Sequence, residues 1–161
     1  MDKRNGFKCD IKAKNELAGI IEDRWFKKFA IVYDEMNKND KAKMDITFTA
    51  TSHNNNEYWY SIELKERDYS HNSFDDWFLE MDKFNSMMEM QKKGYSTNYY
   101  NRFRDNIYAV WNYDKCKEAL EEGKVGKKWL PKTTMGDDEL VLKDVIYLNF
   151  NNASLTGYTS E

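Results

Sequence analysis

The chain has 161 residues, 40% of them hydrophobic and 16% aromatic, which suits one compact domain with its own core and argues against disorder. Its formal net charge is −3, so the molecule as a whole lacks the basic surplus of a dedicated nucleic-acid binder. Two cysteines far apart, Cys9 and Cys116, and two histidines, His53 and His71, exclude a disulfide framework and a Cys/His zinc site.

In chain order, the opening MDKRNGFKCDIKAKNE has no apolar run, so no signal peptide is expected. No stretch reaches the roughly 20 apolar residues that cross a bilayer, so no membrane association is expected and the thiols are read as reduced. Between Asn15 and Ala30 the apolar residues Leu17, Ile20, Ile21, Trp25, Phe26 and Phe29 recur at helical spacing. YDEMNKNDKAK then reads as a polar loop. Met44 to Ala50 alternates, with Ile46 and Phe48 on one side and Asp45, Thr47 and Thr49 on the other. An Asn-rich turn leads to EYWYSIELKER, where Tyr58, Tyr60, Ile62 and Leu64 oppose Trp59, Ser61, Glu63 and Lys65.

A helical stripe is expected from Ser73 to Lys93, through Phe74, Trp77, Phe78, Met81, Phe84, Met87 and Met88, with Ser73 as N-cap and Gly94 as terminator. The aromatic TNYYNRFRDNIYAVWNYD reads as one strand running to Tyr113. DKCKEALEEGKV reads as a short helix closed by Gly123, KKWLPKTT as an extended or turn segment, and LVLKDVIYLNF as a last strand. Residues 151–161 read as a frayed tail. With no repeat and no linker, the pattern gives one domain over 1–161, an α/β fold with helices packed on a mixed sheet.

The two alternating segments on either side of the Asn-rich turn form a hairpin. Keeping both apolar faces on one side pairs Thr49 with Trp59 and Thr47 with Ser61, and brings Asp45 opposite Glu63. Their Cβ atoms would then lie about 5 Å apart, and like charges there repel. Lys65, on the same face, compensates in part; a divalent cation would compensate more. Two carboxylates and a backbone carbonyl are an ordinary oxygen set for Mg²⁺ or Mn²⁺.

Asp45, followed 18 residues later by Glu63-Leu64-Lys65, resembles the PD-(D/E)xK nuclease superfamily, above all its small phage and bacterial members. The resemblance runs from about Lys14 to Val110. It implies a restriction endonuclease-like mixed sheet with an α-β-β-α-β core and a metal-dependent hydrolase of DNA phosphodiesters. It further implies Mg²⁺ as cofactor with Mn²⁺ as substitute, no nucleotide cofactor, DNA as partner, homodimers among its assemblies, and the cytoplasm of a bacterial or phage-infected cell. Asp45 and Glu63 match the acidic metal ligands, Leu64 the carbonyl ligand, and Lys65 the lysine. Glu16 matches a helix-borne glutamate by spacing, with Glu22 second. Two positions depart from the pattern. Met44 stands where a proline is common, and Glu80 and Phe84 stand where some members have Gln and Tyr.

Local basic clusters supplement this reading. Arg102 and Arg104 interleave with aromatics, and Lys127, Lys128 and Lys132 surround Trp129, each a candidate DNA contact. Further clusters lie at Lys3, Arg4, Lys8, Lys12 and Lys14, and at Lys38, Lys41 and Lys43. The histidines have no companions in the sequence. The competing readings are a nuclease-fold module without turnover that binds DNA or a protein, and a charged strand pair facing solvent.

Overall fold

The computed structural model describes residues 31–37, 45–52, 55–132 and 139–159. The helix expected before residue 31, Glu16, Glu22, Cys9, His53 and the two basic clusters before residue 44 lie outside them.

Among the described residues, six strands form one sheet in the order β1 (Ile31–Asn37), β2 (Ile46–Ser52), β3 (Glu57–Arg67), β5 (Ser96–Phe103), β6 (Ile107–Asn112), β9 (Leu155–Tyr158). The β3–β5 pair is parallel and its neighbours are antiparallel, so the sheet is mixed. Parallel neighbours need a long crossover. Here it comprises β4 (Asp76–Glu80) and α1 (Met81–Lys92). β4 joins a second sheet of three strands, with β8 (Leu140–Asn149) between it and β7 (Val125–Pro131). α2 (Tyr113–Glu121) follows β6 directly. The β2-β3-α1-β5 run is the β-β-α-β part of the expected restriction endonuclease-like core, with β4 added ahead of the helix.

Local chemistry accounts for the boundaries. Asn112 caps α2, its side chain accepting from the Lys115 N–H at 2.9 Å. Gly94 (φ 95°) and Gly123 (φ 74°) stop the two helices in a conformation that side chains disfavour. The helices, the second sheet and one face of the large sheet enclose a core of Trp77, Leu79, Phe84, Met87, Tyr99, Phe103, Trp111, Ile146 and Leu148. Trp77 and Phe103 lie 4.6 Å apart between ring centres. Cys116 is buried here as a free thiol, pushed up to about 12 by burial alone, and is a packing residue.

Four expectations are corrected. The polar segment after Tyr33 is not all loop, because backbone pairing with β2 carries β1 to Asn37. The helix does not start at Ser73. Trp77 and Leu79 are buried while Asp76, Phe78 and Glu80 are less so, a period of two, and pairing with β8 makes this stretch a strand. The aromatic segment is a hairpin rather than one strand, since Asn106 at φ 61° supplies a left-handed turn after Phe103. The tail is not frayed as far as Thr159: Leu155–Tyr158 pairs with β6, and the Thr159 N–H donates to the Asn106 carbonyl at 2.7 Å, while 160–161 lie outside the described residues.

Candidate functional site: a charged face at the end of two strands

The hairpin has the expected register. Thr49 pairs with Trp59, Thr47 with Ser61, and Ile46 with Ile62. Asp45 sits at the bend just before β2, and its Oδ2 accepts from the Leu64 N–H at 2.8 Å. This bond ties the aspartate across the end of the ladder. Glu63 is only 6% exposed. Burial, and then the negative charge of Asp45, push its carboxyl up to about 7. Lys83, from the first turn of α1, opposes this with its Nζ 3.1 Å from Glu63 Oε1. Burial alone would lower the Lys83 ammonium, but Glu63 and Asp45 outweigh it and raise it.

Lys65 lies two residues on, half-buried on the same face. Burial, and then the Arg67 guanidinium, lower its pKa, against the pull of Glu80 and Glu63. Arg67 is buried, with Nε donating to Asn101 Oδ1 at 2.7 Å and Nη2 donating to the Phe78 carbonyl at 2.6 Å and to the Tyr99 hydroxyl at 3.0 Å. Glu80 closes β4 and holds Lys143 Nζ at 2.7 Å from Oε1.

The donor set fits a hard divalent cation in kind. A strand residue directs its N–H and C=O to the same edge, so the Leu64 carbonyl points the way its N–H does, toward Asp45. This edge lies beyond the last β2–β3 pair, Ile46–Ile62. A buried carboxylate pushed up to about 7 beside a half-buried one is short of positive charge. Among the described residues no three His, Cys, Asp or Glu side chains gather for a metal. An ion here would rest on Asp45, Glu63, the Leu64 carbonyl and water, and would compete with Lys83.

No family model and no curated protein matches the chain. Among solved structures, Hjc, a Holliday junction resolvase from the archaeal hyperthermophile Archaeoglobus fulgidus, is similar over 91% of each chain, at 11% identity and a TM-score of 0.45. Similarity at that level assigns no activity to this chain.

The other residues singled out by the sequence are scattered. Arg102 projects from the opposite face of the sheet and meets Glu66 at 3.3 Å. Arg104 is exposed at the β5–β6 turn, 3.8 Å from Asp68. Lys127 and Lys132 pair with Asp144 (3.0 Å) and Glu139 (3.6 Å), while Lys128 Nζ lies 4.8 Å from the centre of the Phe78 ring. His71 has a companion that the sequence hid. Its Nδ1 is 2.5 Å from Asp105 Oδ2, and its backbone N–H donates to Asp105 Oδ1 at 3.2 Å.

Arg67 and Lys143 lie outside the site expected from sequence, while Glu80 enters it only as a departure from the family's Gln position, with Lys83 three residues on. A helix begun at Ser73 puts Lys83 in its middle, where nothing in the sequence sets it against Glu63. Only the true start at Met81 puts it in the first turn, midway along the crossover from β3 to β5. Arg67 was readable as a continuation of the alternation Glu63, Lys65, Arg67. Lys143 carried no signal before β4 and β8 were known to pair.

Proposed function

We propose that this chain is a metal-dependent nuclease that hydrolyses DNA phosphodiesters. The observation that carries this reading is the meeting of Asp45, Glu63 and Lys65 on one face where two rigid strands end. Asp45, Glu63 and the Leu64 carbonyl would hold Mg²⁺, or Mn²⁺ in its place. When bound, the ion supplies Lewis-acid stabilisation of charge on the phosphate. Lys65, half-buried on the same face, holds the attacking water and stabilises the charge that develops on the phosphate. The water oxygen bonds to phosphorus as the opposite P–O ester bond breaks, the water giving up its proton to solvent and the departing oxygen taking one from solvent. Lys83, 3.1 Å from Glu63 Oε1, offsets the charge of that carboxylate. Glu16 assists as the family resemblance implies. Arg102, Arg104, Lys127, Lys128 and Lys132 are proposed contacts to the DNA backbone, and two copies would act together on two strands.

The test is incubation of the purified protein with linear, circular and branched DNA in Mg²⁺, Mn²⁺ or EDTA, beside Asp45→Ala, Glu63→Ala and Lys65→Ala. We expect metal-dependent cleavage that falls by about 10²–10⁴ in the Lys65 variant with the fold intact by circular dichroism. Undiminished cleavage by Lys65→Ala and Glu63→Ala would overturn the reading.

The Lys83–Glu63 ion pair favours one alternative, a nuclease-fold module without turnover, because an ammonium already stands where a cation is needed. That reading predicts no cleavage with any metal, and binding of DNA or of a protein that survives Asp45→Ala.

A further inference from the structure

We infer that the second sheet carries a phosphate seat, Lys128 and Lys143 beside Glu80 and Phe78, which holds the DNA backbone next to the Asp45–Glu63–Lys65 site. The inference rests on the nucleic-acid reading of that site and adds a wall to it.

Lys128 and Lys143 are direct cross-strand partners on β7 and β8. Like charges so placed repel, and a folded sheet keeps them together only against a cost. Glu80 answers Lys143 at 2.7 Å. Glu80 lies two residues from Phe78 on the same side of β4, and the Phe78 ring also meets Arg67, which shares its strand face with Glu63 and Lys65, so β4 joins the seat to the site. Lys128 Nζ lies 4.8 Å from the Phe78 ring centre, and the Arg67 guanidinium carbon lies 4.5 Å from the same centre. Three cations, Arg67, Lys128 and Lys143, therefore flank Phe78 and Glu80 at the end of β4.

The lysines are also held in place. Lys143 is 22% exposed and bonded to a strand-end carboxylate, and the Lys128 ammonium lies against a ring. Side chains ordered in this way spend little entropy on binding. A chain that presents a phosphate every few ångströms suits such a patch, because one phosphate on Lys128 and Lys143 leaves a neighbour free to reach Lys65. Glu80 competes with that phosphate for Lys143, so removing its charge should strengthen binding.

The experiment measures binding, not cleavage. In the Asp45→Ala background with EDTA, fluorescence anisotropy of labelled duplex DNA is followed from about 50 to 200 mM salt. Lys128→Gln and Lys143→Gln are each expected to weaken binding by about 3–10-fold and to lower the salt slope by about 1. Glu80→Gln is expected to tighten binding. Lys117→Gln, exposed on α2 beside Glu121, serves as the control and should change nothing. If Lys143→Gln alone does not fold, the neutral pair Glu80→Gln/Lys143→Gln reports in its place. Both lysine variants binding like the control would overturn the seat, as would absence of DNA binding altogether. The expected losses in a protein whose parent never cleaves DNA would leave the seat standing and remove only the nuclease activity.

Discussion

The two faces of β3 are buried alike and built oppositely. One carries Ile62 and Leu64 and continues into Ile46, Phe48, Tyr100, Tyr108 and Val110, all buried. The other carries Ser61, Glu63, Lys65 and Arg67, of which three are as buried as the apolar set. On the first face burial is itself stabilising, at about 25 cal/mol per Å² of apolar surface. On the second, each ion withdrawn from water costs several kcal/mol, on the order of what a good partner returns. A fold selected for stability alone has no use for Glu63 beside Asp45. The charged side chains share their sheet face with the core residues Tyr99, Phe103 and Trp111, so on that face apolar packing and costly ions stand side by side, and it is the ions that mark the candidate site.

The largest effect should come from the apolar face. Ile62→Ala removes a side chain that is 1% exposed and should lower stability in urea by about 3–4 kcal/mol, with the chemistry per folded molecule unchanged. A cost below about 1 kcal/mol would show that this face is not packed as described. Arg67→Met comes next. It strips partners from Asn101, Tyr99 and the Phe78 carbonyl, and should cost about 2–3 kcal/mol by chemical denaturation. A stabilised variant would mean that the charged face does not depend on its arginine.

Glu63→Gln sharpens the contrast through pH. The folded carboxyl is pushed up to about 7, from 4.5 in the unfolded chain. Between those values the folded state holds more protons. The stabilising contribution is therefore complete below about 4.5 and is lost as pH rises through about 7. In EDTA the wild-type protein should lose stability across that window, while Glu63→Gln should lose less and be the more stable of the two above it. Adding Mg²⁺ should reverse the order. Parallel pH profiles for the two proteins would contradict a strained carboxyl at this position. The smallest effect belongs to the open start of β3, where both faces are wet. Trp59, 41% exposed and 5.4 Å from Tyr95 between ring centres, should cost under about 1 kcal/mol as Trp59→Ser in thermal melts.

The candidate site was legible in part because a hairpin is a local object. Alternation gives each side chain its face, and the Asn-rich turn sets which residues oppose one another, so Asp45 could be placed against Glu63 from spacing alone. The α/β class followed from the same reasoning. The failures share a cause. Phe74, Trp77, Phe78 and Met81 satisfy a helical period as well as Trp77 and Leu79 satisfy a period of two, and only β8, some 70 residues away, decides between them. The tail Leu155–Tyr158 has little to bury and becomes a strand because β6 presents an edge to it.

By itself, then, the sequence determined the β2–β3 hairpin, its register, and the carboxylates and lysine that share its charged face, since all of these depend on neighbours within a few residues or across one turn. Tertiary structure decided the rest. It put Lys83 on Glu63, folded Arg67 under Phe78, and set Lys143 against Glu80, 63 residues away. Those contacts join segments with no local preference for each other. They form where the crossover and the second sheet pack on the large one, and no periodicity within either segment records that packing.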